Sequence, residues 1–158
     1  MNGFKWVWNK KGAKQKKDGA IELFQEKEIQ TVTRFHESFP QYQKTPLVSL
    51  NNLAKTLGVG AIYVKDESHR FGLNSFKVLG GAYAIGQCLA QRLQEPMEQI
   101  TFERLGSDEA KEKLGRITFT TATDGNHGRG VAWTASQLGH KAVVYLPKGS
   151  SDSRYENI

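Results

Sequence analysis

Apolar positions along the chain fall into short stretches whose spacing switches between helical and extended periods. Phe24, Val32, Phe35 and Phe39 recur at a loosely helical spacing among Glu, Gln and Arg, and Pro40 closes the segment, which predicts one amphipathic helix. Thr45-Pro-Leu47 begins an extended segment, residues 50–57 read as a short helix closed by Gly58, and Ala61-Ile-Tyr-Val64 reads as a buried strand flanked by charge. From Lys77 onward, Leu79, Ala82, Tyr83, Leu89 and Leu93 keep one helical face. Residues 94–115, rich in Gln, Glu and Lys and broken by Pro96, Gly106 and Gly115, predict a surface excursion with short helices. Residues 117–122 form a β-branched strand, 128–138 a helix, and 142–146 a strand stopped by Pro147. This alternation predicts a parallel, right-handed βαβ unit of a three-layer α/β fold. Residues 150–158 read as the first turns of a further helix.

With 38% apolar residues in 158, the chain has one domain's worth of core. Its net charge of +6 is local: Lys5, Lys10, Lys11, Lys14, Lys16 and Lys17 all precede the first acid, Asp18, and without them 16 basic residues face 16 acidic ones. Lysines beside Trp6 and Trp8 suit nucleic acid or an anionic membrane. The alternation of Phe4, Trp6 and Trp8 instead predicts one face of a short strand followed by a solvated linker, so neither partner is expected. Residues 1–44 are therefore read as a tail and amphipathic helix, and 45–158 as the α/β domain. Cys88 stands alone in a helical apolar pattern, which excludes a disulfide framework and predicts a buried, reduced thiol. No apolar run approaches a membrane span and the N-terminus lacks a signal-peptide core, so the expected location is cytoplasmic.

Two segments carry candidate chemistry. In Asn74-Ser-Phe-Lys77, a lysine stands at the junction of a turn and an apolar helix, where its amine loses water on one side. A desolvated amine resists protonation, and only the neutral amine attacks an aldehyde. The alternative is a surface lysine that opens a helix. About fifty residues later, Asp124-Gly-Asn-His-Gly128 precedes a helix, so the unpaired N–H groups of that loop suit a substrate carboxylate, with Gly125, Asn126, His127 and Gly128 as its members. Its glycines, with Gly130, equally permit a tight strand-to-helix turn, and Asp124 equally suits an N-cap. His127 and Arg129 cannot both face a ligand from one helix, and neither has a metal partner at ligand spacing, so no metal site is expected. Lys65 and Glu67 are candidates of second rank.

These segments, together with Lys65-Asp-Glu-Ser68, Arg70-Phe-Gly-Leu-Asn74, Leu79-Gly-Gly-Ala-Tyr-Ala84, Val131-Ala-Trp133 and Pro147-Lys-Gly149, resemble the fold-type II pyridoxal 5′-phosphate enzymes over roughly residues 45–150. Within that group the resemblance is greatest to the diaminopropionate ammonia-lyases. It implies that Lys77 carries the cofactor, that Phe76 and Asn126 contact it, with Asn126 at its phenolic oxygen, and that a small amino acid is the substrate. It also implies a homodimer, and α,β-elimination of 2,3-diaminopropionate to pyruvate and ammonia. Serine and threonine dehydratases of the same fold type usually carry serine where Asp124 stands. A carboxylate there can accept a proton or hold a β-ammonium group, which a hydroxyl does poorly. Members of the group are longer, with a glycine-rich phosphate loop and a second acidic base in their later half. The resemblance therefore implies a C-terminally truncated member, leaving a serine/threonine dehydratase-like lyase, a non-catalytic remnant, or a protein that pairs with a separate C-terminal half as the other readings.

Overall fold

A computed structural model describes residues 24–123 and 125–158. The expected strand at Phe4, Trp6 and Trp8, the lysine run and Asp124 lie outside the described residues. The order is α1 (Glu26–Glu37), β1 (Leu47–Ser49), α2 (Asn51–Leu57), β2 (Tyr63–Lys65), a 3-10 segment Glu67–Gly72, α3 (Lys77–Leu93), a 3-10 turn Met97–Gln99, α4 (Phe102–Gly106), α5 (Asp108–Leu114), β3 (Thr118–Ala122), α6 (Asn126–Gln137), β4 (Lys141–Tyr145) and α7 (Asp152–Glu156).

The expected βαβ unit is present. β3 pairs in parallel with β4, Thr118 opposite Lys141 through Ala122 opposite Tyr145, and α6 connects them and packs on both. Phe119, Thr121, Ala142 and Val144 turn toward the protein, while Thr118, Thr120, Ala122, Val143 and Tyr145 stand exposed on the other face. α3 packs on α6 rather than directly on the sheet, and α1 packs on α3. At the α3–α6 contact a Cβ on Gly130 would lie 2.8 Å from the Val78 Cα, so the two backbones touch there. Gly130 thus serves close helix packing, not the turn that its spacing suggests.

The core is built where three apolar faces meet. Phe35, Leu89 and Ile100 are fully buried, and Phe35 meets Phe39 and Tyr83 edge to face at ring separations of 5.4 and 5.7 Å. Such aromatic burial removes the largest apolar areas from water and fixes the angle at which α1 lies on α3.

Three expectations need correction. Residues 63–65 are not a buried strand: Tyr63 and Val64 are exposed, and β2 pairs antiparallel with β1, Tyr63 opposite Ser49. Two three-residue strands make too small a sheet to bury a face. The 94–115 excursion is not purely a surface feature, because Ile100, Leu105 and Ala110 reach the core while Arg104 spans Glu95 and Glu109 above them at 2.5 and 3.3 Å. Cys88 is only partly buried, although it is a free thiol as expected. The helix closed by Gly58 forms as its sequence requires: Gly58 adopts φ 66°, the left-handed C-cap that a side chain resists.

His36 makes the core sensitive to pH. It is buried, with Nδ1 2.8 Å from the Val32 carbonyl and Nε2 2.9 Å from the Leu79 carbonyl. A neutral ring donates to only one of the two carbonyls. Burial holds its pKa below the ordinary 6.5, outweighing the pull of both carbonyls toward the charged form, and burial lowers His140 in the same direction. The unfolded chain then binds more protons than the folded one just below pH 6.5, so stability is complete above that value and declines as pH falls toward the folded pKa values. Urea midpoints are therefore expected to drop between pH 7.5 and 5.5, and to drop less in a His36→Gln, His140→Gln variant. Equal midpoints at both pH values in the unsubstituted protein would refute this.

Candidate active site

The turn leading to Lys77 is held from below by ionic contacts and from above by aromatic ones. Arg70, buried, forks onto Glu67 with Nε and Nη2 at 2.8 and 2.9 Å, and Nη2 also donates to Thr45 Oγ1 at 3.2 Å. Lys65 donates to the carbonyl and hydroxyl of Thr45. The Arg70 guanidinium holds the Glu67 carboxyl below its ordinary range. Lys65 and Glu67 thus belong to a framework around Thr45. Above it, Phe71 adopts φ 50°, a left-handed conformation that is unfavourable for a bulky residue. It is kept there by burial against Trp133 and Phe39, with ring centroids 5.0 and 5.9 Å away.

Asn74 follows at φ 54°, and the buried Ser75 accepts the Lys77 N–H on Oγ at 3.2 Å. Lys77 is the first residue of α3, as expected, but it is exposed. Val78 takes the inward position of that first turn at 1% exposure, so the described residues do not desolvate the lysine as its apolar surroundings in sequence suggest. The Lys77 amine lies 5.9 Å from the ring centre of Phe76, itself 59% exposed, so the ring offers its face to the cation.

The glycine loop runs from β3 into α6. Thr123 closes the strand pairing by donating its N–H to the Tyr145 carbonyl at 2.9 Å, Gly125 is the N-cap and Asn126 the first helical residue. Gly128 is buried, and a Cβ there would lie 2.8 Å from both Thr123 and Val144 side chains. Packing against the sheet therefore requires that this position have no Cβ. His127 is exposed.

Asn74, Gly125, Asn126 and Arg129 line an open cleft of about 500 Å³ whose far wall is Arg154, Asn157 and Ile158. The fold thus brings Gly125 and Asn126 to the turn that bears Lys77; His127 and Gly128 are not in the lining. Arg129 is a cleft residue that sequence reasoning leaves aside. Its place three residues after Asn126, on the same helix face, is the signal that could have selected it over His127. The cleft has hydrogen-bond donors and two guanidinium groups, so it suits an anionic ligand; Asn74 of the lysine turn is in its lining, whereas Phe76 and Lys77 are not.

Comparison with known proteins agrees. The profile of a family described as "Pyridoxal-phosphate dependent enzyme" matches residues 39–158. The diaminopropionate ammonia-lyase of Salmonella typhimurium is 51% identical over 98% of this chain and 38% of its own, and that of Escherichia coli is 50% identical over 86% of this chain and 33% of its own. The crystal structure of the Escherichia coli diaminopropionate ammonia-lyase in complex with D-serine superposes with a TM-score of 0.77 at 48% identity, covering 85% of this chain and 34% of that one. The chain spans about a third of the length of these relatives. A lysine turn, a glycine loop and a polar cleft between them, under a profile that takes in three quarters of the sequence, establish that the chain belongs to the pyridoxal phosphate-dependent enzyme family.

Proposed function

We propose that this chain supplies the lysine side of a diaminopropionate ammonia-lyase active site, for α,β-elimination of 2,3-diaminopropionate to pyruvate and ammonia. The observation that carries the reading is the cleft shared by Asn74 of the lysine turn with Gly125 and Asn126 of the glycine loop, in a chain about half identical to two such lyases.

The residues present fit pyridoxal phosphate. Lys77 offers an exposed amine to its aldehyde, Asn126 an amide N–H to its phenolic oxygen, and Phe76 an exposed ring face. Bound there, the cofactor supplies an electron sink for the bond broken at the substrate α-carbon. The chain's own part is binding and proton movement. Asn126, the first residue of a twelve-residue helix, directs its unpaired N–H at the substrate carboxylate, while the Gly125 N–H turns back to Thr123 Oγ1 at 3.4 Å. Lys77 Nζ, once free, holds or delivers a proton beside the α-carbon. Asp124 is assigned the α-proton of one enantiomer, the D form, or the β-ammonium group that must leave.

The fuller reading is a cytoplasmic enzyme of amino-acid catabolism that works as a homodimer and contacts no nucleic acid. The lone free thiol supports the location and the charge excess confined to residues 1–17 the lack of a nucleic-acid partner, while catabolism and the homodimer rest on the resemblance to the family. Among the described residues no helix is long and apolar enough to cross a membrane.

The test is a chimera in which this chain replaces the corresponding third of the Salmonella typhimurium relative. The expected result is pyruvate from diaminopropionate well in excess of that from serine or threonine, and no steady turnover by the 158-residue chain alone. A chimera that folds and prefers threonine would transfer the reading to the dehydratases. Steady turnover by the isolated chain, lost in Lys77→Ala, would show that the part suffices.

A further inference from the structure

Arg129 stands one turn into α6, yet its Nη1 donates to the Leu73 carbonyl, 56 residues earlier in the chain, at 3.2 Å. Leu73 is buried at 8% exposure, and its own N–H is committed to the Arg70 carbonyl at 2.8 Å. The carbonyl that Arg129 takes is therefore fixed on the framework side and opens directly onto residues 74–77. That short stretch has no helical hydrogen-bond ladder of its own: Asn74 is left-handed, and its one internal side-chain tie is the Lys77 N–H to Ser75 Oγ. On its other side Arg129 lines the cleft beside Gly125 and Asn126.

We propose that Arg129 is a positioning residue that ties the lysine turn to the glycine loop and so sets where the Lys77 amine stands relative to Asn126. The rigid fork of a guanidinium suits this task, since one N–H can engage the carbonyl while the others remain directed at the cleft. The helix contact at Gly130 and Val78 fixes α3 against α6, but it does not restrain residues 73–76, which precede α3. Arg129 is the side chain that reaches across to them.

The proposal deepens the functional reading above, because the turn it restrains is the one assigned to the cofactor; the test therefore reads the turn without cofactor first. Amide hydrogen exchange is measured on the 158-residue protein, on Arg129→Met and on Arg129→Lys. Losing a charge-assisted hydrogen bond to a buried carbonyl is expected to speed exchange over residues 73–77 by about tenfold, with residues 85–93 of α3 unchanged and with partial recovery in Arg129→Lys. A second arm, in the chimera with the Salmonella typhimurium relative, adds pyridoxal phosphate and borohydride and measures the label on Lys77, expected to fall in Arg129→Met and recover in Arg129→Lys. Exchange over residues 73–77 that is unchanged in Arg129→Met, or that rises equally along the whole chain, overturns the proposal. If Arg129→Met loses its circular dichroism signal, Arg129→Gln, which keeps an N–H donor on a shorter side chain, is held to the same two criteria. A turn that loosens as expected while even the unsubstituted chimera takes no label on Lys77 upholds the tie and refutes the cofactor reading.

Discussion

Replacing Lys77 by alanine abolishes the pyridoxyl group that borohydride fixes on this chain. The expectation rests on position rather than on lysine content. Among the described lysines, all of them exposed, Lys77 is the one that opens a helix, three residues after Asn74 of the cleft. Its first turn is registered by the Ser75 hydroxyl and by Val78 buried against Gly130, so the amine starts from a fixed backbone. Exposure makes it reachable by an aldehyde from solution. Peptide mapping after reduction of the chimera is expected to place the label on Lys77, with none there in Lys77→Ala and little redistribution to other lysines. A label that favours Lys65 or is spread over the surface lysines would remove Lys77 from the site.

Asp124→Asn in the chimera is expected to leave the cofactor label in place and to lower turnover of D-diaminopropionate by roughly 10²–10⁴, the contribution of a positioned acid or base. Asparagine keeps the size and hydrogen-bonding reach of aspartate but neither accepts a proton nor carries the charge that holds an ammonium group. The competing role of Asp124 was helix capping. The structure gives the N-cap of α6 to Gly125, with no side-chain cap bond, and Gly125 itself lines the cleft. The rate measurement is what separates the capping role from the chemical one. Rates that survive the substitution on both enantiomers would count against this assignment, and a loss of label would show that the substitution had disturbed binding instead.

The sequence made the larger elements legible because they are long enough to repeat a period. The faces of α3 and α6 and the β-branched run of β3 each repeat several times, and their order forces a parallel crossover. β1 and β2, at three residues each, contain too little alternation to announce either their pairing or their exposure. Ile100, Leu105 and Ala110 are spaced too widely among charged residues to form a pattern, although all three reach the core. In the site, the turn and the loop were visible as strings, but the direction in which each side chain leaves its helix was not. That direction separates Asn126 and Arg129, which line the cleft, from the exposed His127, and Val78, which is buried, from the exposed Lys77. Gly128 and Gly130 looked like turn residues because glycine has the same signature whether it frees a backbone or lets two segments touch.

The touching point of α3 and α6 also has a mechanical meaning. Helices pivot about a point where their backbones touch more easily than they slide past it. Val78 is one residue from Lys77, and Gly130 is four residues, or roughly 6 Å of helix rise, from Asn126, against seven residues to Gln137. The fulcrum thus sits close to the chemistry, with the longer lever arm pointing away from it. Tilting α6 by about ten degrees about this hinge would carry Asn126 roughly 1 Å but its far end nearly twice as far. A tilt about this contact therefore disturbs the spacing between amine and amide less than it moves the distal end of α6.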